Sequence, residues 1–253
     1  MRTNESLPNL EQEALLWKQG SAFVFGIDEA GRGCLAGPVC AAVAAWSANL
    51  NAETVLSEIR DSKQMTLAQR EAAFDPVMER SLAKGVGWAS AQEIDRWNIL
   101  RATYLAVARA MEQALRVMFE KGLFDGKDFS LFAFLTDGSH PLLSHSRFFL
   151  KEPDTKNEFH FLKILLQDPV KEICLIKGDS RVYSIASASV LAKVHRDRHM
   201  LVLDKEFPAY NFADHKGYST EKHIKKLRES GPCSEHRRSY APVAEAAAMW
   251  QTR

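Results

Sequence analysis

An apolar run, Phe23-Val24-Phe25-Gly26-Ile27, ends in two adjacent carboxylates, Asp28 and Glu29, and then in the turn Gly31-Arg32-Gly33. No other stretch constrains the fold as tightly. A short run rich in Val, Phe and Ile between turn residues reads as a strand. Carboxylates at the end of a buried strand are costly to desolvate unless a cation or hydrogen-bond donors stand beside them. The glycines let backbone N–H groups approach a ligand closely, and the arginine can take a phosphate through two parallel bonds. Together they point to a divalent metal beside a phosphodiester. Strand geometry adds one condition: successive residues face opposite sides, so Asp28 and Glu29 share a site only where the strand frays or bends.

Two later apolar runs end in the same way. Leu131 to Thr136 stops at Asp137-Gly138, and Glu172 to Ile176 stops at Gly178-Asp179. Alone, Asp-Gly is a common turn dipeptide. Four strand-end carboxylates with a Gly-Arg-Gly turn make a site instead. Oxygen ligands without His or Cys suit Mg²⁺ or Mn²⁺ better than zinc. Two such ions roughly 3.5–4 Å apart can activate a water and stabilise the leaving oxygen of an in-line displacement.

The rest of the chain reads as an α/β order. Leu10 to Lys18 forms a short capping helix. Ala22 to Asp28, Val39 to Trp46 (opened by Pro38) and Gly85 to Ala91 read as strands. From Asn98 to Lys121, Leu100, Tyr104, Ala108, Met111, Leu115 and Met118 recur at helical steps, with Gly122 as the stop. A second helix runs from about Ser184 to Lys205, before Pro208. This gives an N-terminal capping segment over 1–20, a catalytic domain over 21–205 and a C-terminal helical extension over 206–253.

The length of 253 residues and the 46% apolar fraction allow one sizeable core. The formal net charge of +1 gives no global signature of nucleic-acid binding, so any basic surface is local. Cys34, Cys40, Cys174 and Cys233 form no C-x-x-C pair, which argues against a zinc knuckle. With no signal-peptide core and no bilayer-length apolar run, the expectation is a cytoplasmic protein without a membrane partner. The segment Gly31-Arg32-Gly33-Cys34-Leu35-Ala36 also matches the dinucleotide fingerprint G-x-G-x-x-A. That fingerprint needs a helix next, and Gly37-Pro38 followed by a strand-like run argues against it.

The run from Gly26 to Gly33, with Ala36-Gly37-Pro38-Val39 after it, resembles the signature of type 2 ribonucleases H, closest to bacterial ribonuclease HII. Asp61-Ser62-Lys63-Gln64-Met65-Thr66, Thr136-Asp137-Gly138 and Lys177-Gly178-Asp179 with Ile185 to Asp197 agree in order. So does His215 to Thr220, through Gly231-Pro232 to His236-Arg237-Arg238-Ser239. The resemblance implies a ribonuclease H-like mixed sheet flanked by helices, with a small helical C-terminal extension. It implies a metal-dependent endonuclease that cuts RNA in RNA–DNA hybrids and 5′ of single ribonucleotides in duplex DNA, leaving 3′-hydroxyl and 5′-phosphate ends. By motif position Asp28, Glu29, Asp137 and Asp179 would bind the metal and catalyse. Gly31, Arg32 and Gly33 would read the 2′-hydroxyl and hold the adjacent phosphate, and Tyr218 would stack on the following deoxyribose. A monomer is expected.

Two further features bear on the substrate, and only the second departs from that pattern. Between His215 and Arg238 seven Lys or Arg face three Glu, and Lys193, Arg196 and Arg198 precede them. Phosphate contacts are expected from Lys216 and Lys222, and also from Lys63; Lys193 either joins them or neutralises nearby carboxylates. Asp137 and Asp179 lie 42 residues apart, wider than the family pattern, with the surplus around His140 to Leu166. The expectation there is an inert surface loop, the alternative an extra rim on the substrate channel. A type 3 ribonuclease H, a junction resolvase and a catalytically silent hybrid-binding protein are the competing functions; the intact carboxylates argue against the last.

Overall fold

The computed structural model describes residues 7–48, 50, 59, 62 and 65–251, and Lys63 and Asp61 lie outside them. The apolar runs form one five-stranded sheet in the order β3-β2-β1-β4-β5. β1 (Phe23–Ala30), β2 (Val39–Trp46) and β3 (Ala83–Ala89) pair antiparallel in succession. β4 (Phe132–Asp137) and β5 (Glu172–Leu175) run parallel, β4 against β1 and β5 against β4.

The helices among the described residues are α1 (Glu11–Lys18), α2 (Leu67–Arg80), α3 (Ala91–Glu120), α4 (Leu142–His145), α5 (Phe161–Leu165) and α6 (Tyr183–Glu206). Three more, α7 (Phe212–His215), α8 (Glu221–Ser230) and α9 (Ala241–Gln251), make the C-terminal part. α3 covers one face of the sheet and α6 the other. β2 is apolar on both sides, as a sandwiched central strand must be. Its Val39, Ala41, Val43 and Ala45 join the α3 core, and its Cys40, Ala42, Ala44 and Trp46 join the α6 core. Gly26 lets α6 lie directly on β1: a Cβ there would sit 2.0 Å from the Ser184 carbonyl carbon.

α3 starts earlier than its apolar period suggests. Ser90 and Glu93 form a capping box, and the helix kinks at Asn98 (φ 64°, ψ 165°). Asn98 Oδ1 accepts from the amides of Leu100 and Arg101 at 3.0 and 3.1 Å, so it caps the long second half. α2, opened by a Thr66–Gln69 capping box, is an element the periodicity did not reveal.

The segment from His140 to Leu166 is not an inert loop. It folds into α4, a 3₁₀ turn (Ser146–Leu150) and α5, and it buries Phe149, Phe159, Leu162 and Leu165 in the α3 core. Glu112 of α3 accepts the amides of Phe161 and Leu162 at 3.3 and 2.9 Å. The aromatic residues that looked like surplus cover apolar surface that α3 would otherwise show to water.

Candidate active site

Register decides which carboxylates meet. β1 stays paired to β2 as far as Ala30 opposite Cys40, while its pairing to β4 ends at Ile27 opposite Thr136. The pleat therefore persists through Asp28 and Glu29, and the two side chains leave opposite faces of the strand. Asp28 shares the α6 face with Val24, and Asp137 shares it with Ala133 and Leu135. Asp179 enters from the turn Gly178–Ser180 ahead of α6. One oxygen from each of Asp28, Asp137 and Asp179 lies within 4.8 Å of the others. Glu29 is outside this triad; its Oε1 accepts from Arg32 Nη1 at 2.9 Å on the rim of the same cleft.

The triad is prepared in the backbone. Asp137 Oδ1 accepts the amides of Gly178 at 2.7 Å and Asp179 at 3.4 Å. Lys177, in left-handed conformation (φ 55°), turns the chain into that position. Asp28 is 2% exposed; its Oδ1 accepts from the Glu29 amide at 2.8 Å, and its buried Oδ2 has no hydrogen-bond partner among the described residues. Burial pushes the Asp28 carboxyl well above the ordinary carboxylate range, and the charges of Glu29, Asp137 and Asp179 push the same way, against the Ser189 hydroxyl. An orphaned buried oxygen and three converging carboxylates, with no His or Cys in the group among the described residues, fit a hard divalent cation. Asp28, Asp137 and Asp179 are the residues that could hold it.

The cleft has a volume of about 520 Å³ and is also lined by Gly31, Arg32, Gly33, Ile99, Ser189, Lys193 and Tyr218. Lys193 neutralises a nearby carboxylate, that of Asp197. Its ammonium pairs with Asp197 at 2.7 Å and lies 5.6 Å from the centre of the Tyr218 ring. Arg196 lies 5.8 Å from the same ring. Tyr218 itself is 40% exposed. Lys216 and Lys222 fall outside the cleft lining. Lys216 Nζ donates to the Ala213 carbonyl, and Lys222 reaches Asp214 at 3.6 Å.

The basic face is smaller than the sequence implies. Arg196 and Arg237 are fully buried, and Arg198 pairs with Glu71. The guanidinium of Arg196 donates to the carbonyls of Pro38, Ala36 and Lys216. That of Arg237 donates to those of Gly31, Arg32 and Gly37. Both residues sit in motifs quoted above, yet a charge count reads them as solvated cations. Ile99 and Ser189, also in the lining, carry no sequence signal beyond their neighbours. The dinucleotide alternative fails on its own requirement: no helix follows Gly33, and residues 39–46 form β2.

The fold is ribonuclease H-like. Ribonuclease H2 from Pyrococcus horikoshii OT3 superposes with a TM-score of 0.63 at 21% identity, over 91% of this chain and 100% of that one. A Bst ribonuclease HIII in complex with Mn²⁺ superposes with a TM-score of 0.61 at 19% identity, over 94% and 73%. The family profile of ribonuclease HII matches residues 25–138 and 152–243, with a gap at 139–151 that overlaps the first half of the inserted segment. Ribonuclease HII from Geotalea daltonii is 41% identical over 93% of this chain and 90% of its own length. That from Paracidovorax citrulli is 39% identical over 97% and 85%. The chain belongs to the ribonuclease HII family. It is an endoribonuclease of the type 2 ribonuclease H class, acting on RNA–DNA hybrids. Among the described residues no helix is long and apolar enough to cross a membrane.

Proposed function

We propose that this cleft, besides cutting the RNA strand of hybrids, nicks duplex DNA on the 5′ side of a single embedded ribonucleotide and leaves 3′-hydroxyl and 5′-phosphate ends. The observation that carries the reading is that Asp28 and Asp137, with Asp179 within 4.8 Å of both, line one cleft together with the Gly31-Arg32-Gly33 turn. A 2′-hydroxyl held at the turn is then adjacent to the phosphate presented to the carboxylates, and the 2′-hydroxyl is what separates RNA from DNA at a site.

In this reading Asp28, Asp137 and Asp179 hold Mg²⁺ or Mn²⁺, with Glu29 as the fourth carboxylate and two ions engaged during turnover. Bound divalent ions supply an activated water and stabilise charge on the phosphate oxygens. The other roles belong to the chain itself. Arg32, 46% exposed and steadied by Glu29, takes the neighbouring phosphate. The Gly31-Arg32-Gly33 backbone lines the cleft, and its amides are the groups that would read the 2′-hydroxyl. Tyr218 stacks on the sugar that follows, and Lys193, held by Asp197, supplies a cation beside it. Lys63, Lys216 and Lys222 contact phosphates farther along the duplex. The catalytic unit is residues 21–205 under the capping segment 1–20, with 206–253 as the substrate-binding extension, and the working species is a monomer.

The test is a DNA duplex with one ribonucleotide, incubated with Mg²⁺ or Mn²⁺ beside an all-DNA duplex and an Asp28→Asn protein. A single nick 5′ of the ribonucleotide, absent from both controls, is expected. Cleavage of a continuous hybrid with the single-ribonucleotide duplex left intact would overturn the finer reading.

A further inference from the structure

We infer that Arg237, buried in the C-terminal extension, is a positioning residue that sets the ribonucleotide selectivity of the Gly31-Arg32-Gly33 turn. The inference rests on the proposed role of that turn at the 2′-hydroxyl and phosphate.

Arg237 is 0% exposed and its guanidinium is spent on backbone carbonyls. Nη2 donates to Gly31 at 2.6 Å, Nη1 to Arg32 at 2.8 Å and Nε to Gly37 at 3.0 Å. Tyr240 completes the set: its hydroxyl donates to the Arg32 carbonyl at 2.9 Å and accepts from Arg237 Nη1 at 3.2 Å. A trans peptide points its carbonyl and the next N–H in opposite directions. Drawing the Gly31 and Arg32 carbonyls toward Arg237 therefore turns the Arg32 and Gly33 amides away from it, on the side that lines the cleft. Arg196 also packs closely against Gly31. Gly31 has φ +93°, and a Cβ there would lie 1.9 Å from Arg196 Nε.

A rigid planar fork is needed to hold three carbonyls at fixed angles. Lysine offers one ammonium on a flexible stem and cannot hold all three. The extension therefore acts beyond adding basic surface: through Arg237 it aims two donors that belong to the catalytic sheet.

The experiment measures binding in an Asp28→Asn background, where no strand is cut. Affinity for a duplex with one ribonucleotide is compared with affinity for the same duplex in all-DNA form. Arg237→Lys is expected to lower the preference about tenfold, the worth of one good hydrogen bond. Tyr240→Phe should lower it less, and all-DNA affinity should not change in either. Preference retained in both variants overturns the inference. So does a parallel loss of both affinities, which marks a merely structural role. If Arg237→Lys fails to fold, Tyr240→Phe decides alone. If the parent protein shows no preference, the proposed reading of the turn fails first, separately from the role of Arg237.

Discussion

The amide of Gly178 donates to Asp137 Oδ1 at 2.7 Å, fastening the last residue of β4 to the turn that carries Asp179. Two carboxylates 42 residues apart are thereby set side by side by the backbone itself. Their charges, with that of Glu29, bear on Asp28.

Asp28→Asn should therefore stabilise the metal-free protein while removing activity. Folding raises the carboxyl pKa, so the charged form opposes folding near neutral pH, and the amide removes that opposition. A gain of about 1–2 kcal/mol moves the midpoint by roughly 2–8 °C in a chain this size. Thermal melts with and without Mg²⁺ check it: the ion should raise the midpoint of the parent and not of the variant. Cleavage should fall about 10³-fold or more, in line with a lost metal interaction.

Chelation should behave in the same way. EDTA should abolish cleavage by the parent, and Mg²⁺ or Mn²⁺ should restore it fully, with far-UV dichroism unchanged throughout. A chelated protein that still nicks the substrate would remove the carboxylates from the reaction.

Gly26→Ala should damage both stability and activity, although residue 26 touches no substrate in the proposed reading. The added methyl meets the Ser184 backbone and forces α6 off the sheet, and α6 carries Ser189 and Lys193 of the cleft. Overpacking of this kind costs about 1–3 kcal/mol. Urea unfolding and steady-state cleavage on the same preparation check it.

Phe149→Ala should cost about 3–5 kcal/mol, the toll of emptying a core aromatic site. Phe149 is 0% exposed inside the inserted segment. A loss below about 0.5 kcal/mol, the range of surface substitutions, would return that segment to the status of a surface loop.

Acid should weaken the C-terminal extension selectively. Burial lowers His223 to about 4, and burial with the neighbouring His223 and Arg238 charges lowers His236 to about 3, both from an ordinary 6.5. Their Nε2 atoms lie 3.1 Å apart, so both cannot carry a proton there comfortably. Between pH 6.5 and about 4 the unfolded chain binds more protons than the folded one. Stability contributed by this pair is whole above pH 6.5 and drains as pH falls. Urea midpoints at pH 7.5 and 5 check the sign, and His223→Gln should flatten the dependence.

Much of this site was legible because its signals are local. Apolar runs ending in Asp mark strands whose ends converge, and Asp28, Asp137 and Asp179 do meet. Val39 to Trp46 matches β2 to the residue, because Pro38 and the end of the apolar run bound it. The pairing of Glu29 with Arg32 was not legible, since it depends on β1 keeping its pleat along β2 after β4 has ended. The burial of Arg196 and Arg237 is invisible for a related reason: a guanidinium looks the same in sequence whether it meets water or a row of carbonyls. The inserted segment reads as a surface loop because its aromatic residues have no period of their own. Their partner is α3, reached across the fold.

The dependence of the Gly31–Pro38 turn on Arg237 has a consequence for the order in which this protein matures. All four acidic residues precede residue 180, whereas Arg237, whose guanidinium holds the Gly31, Arg32 and Gly37 carbonyls, follows Asp179 by 58 residues. If selectivity depends on that clamp, as inferred above, a chain emerging from the ribosome carries its carboxylates before it carries the group that aims its recognition turn.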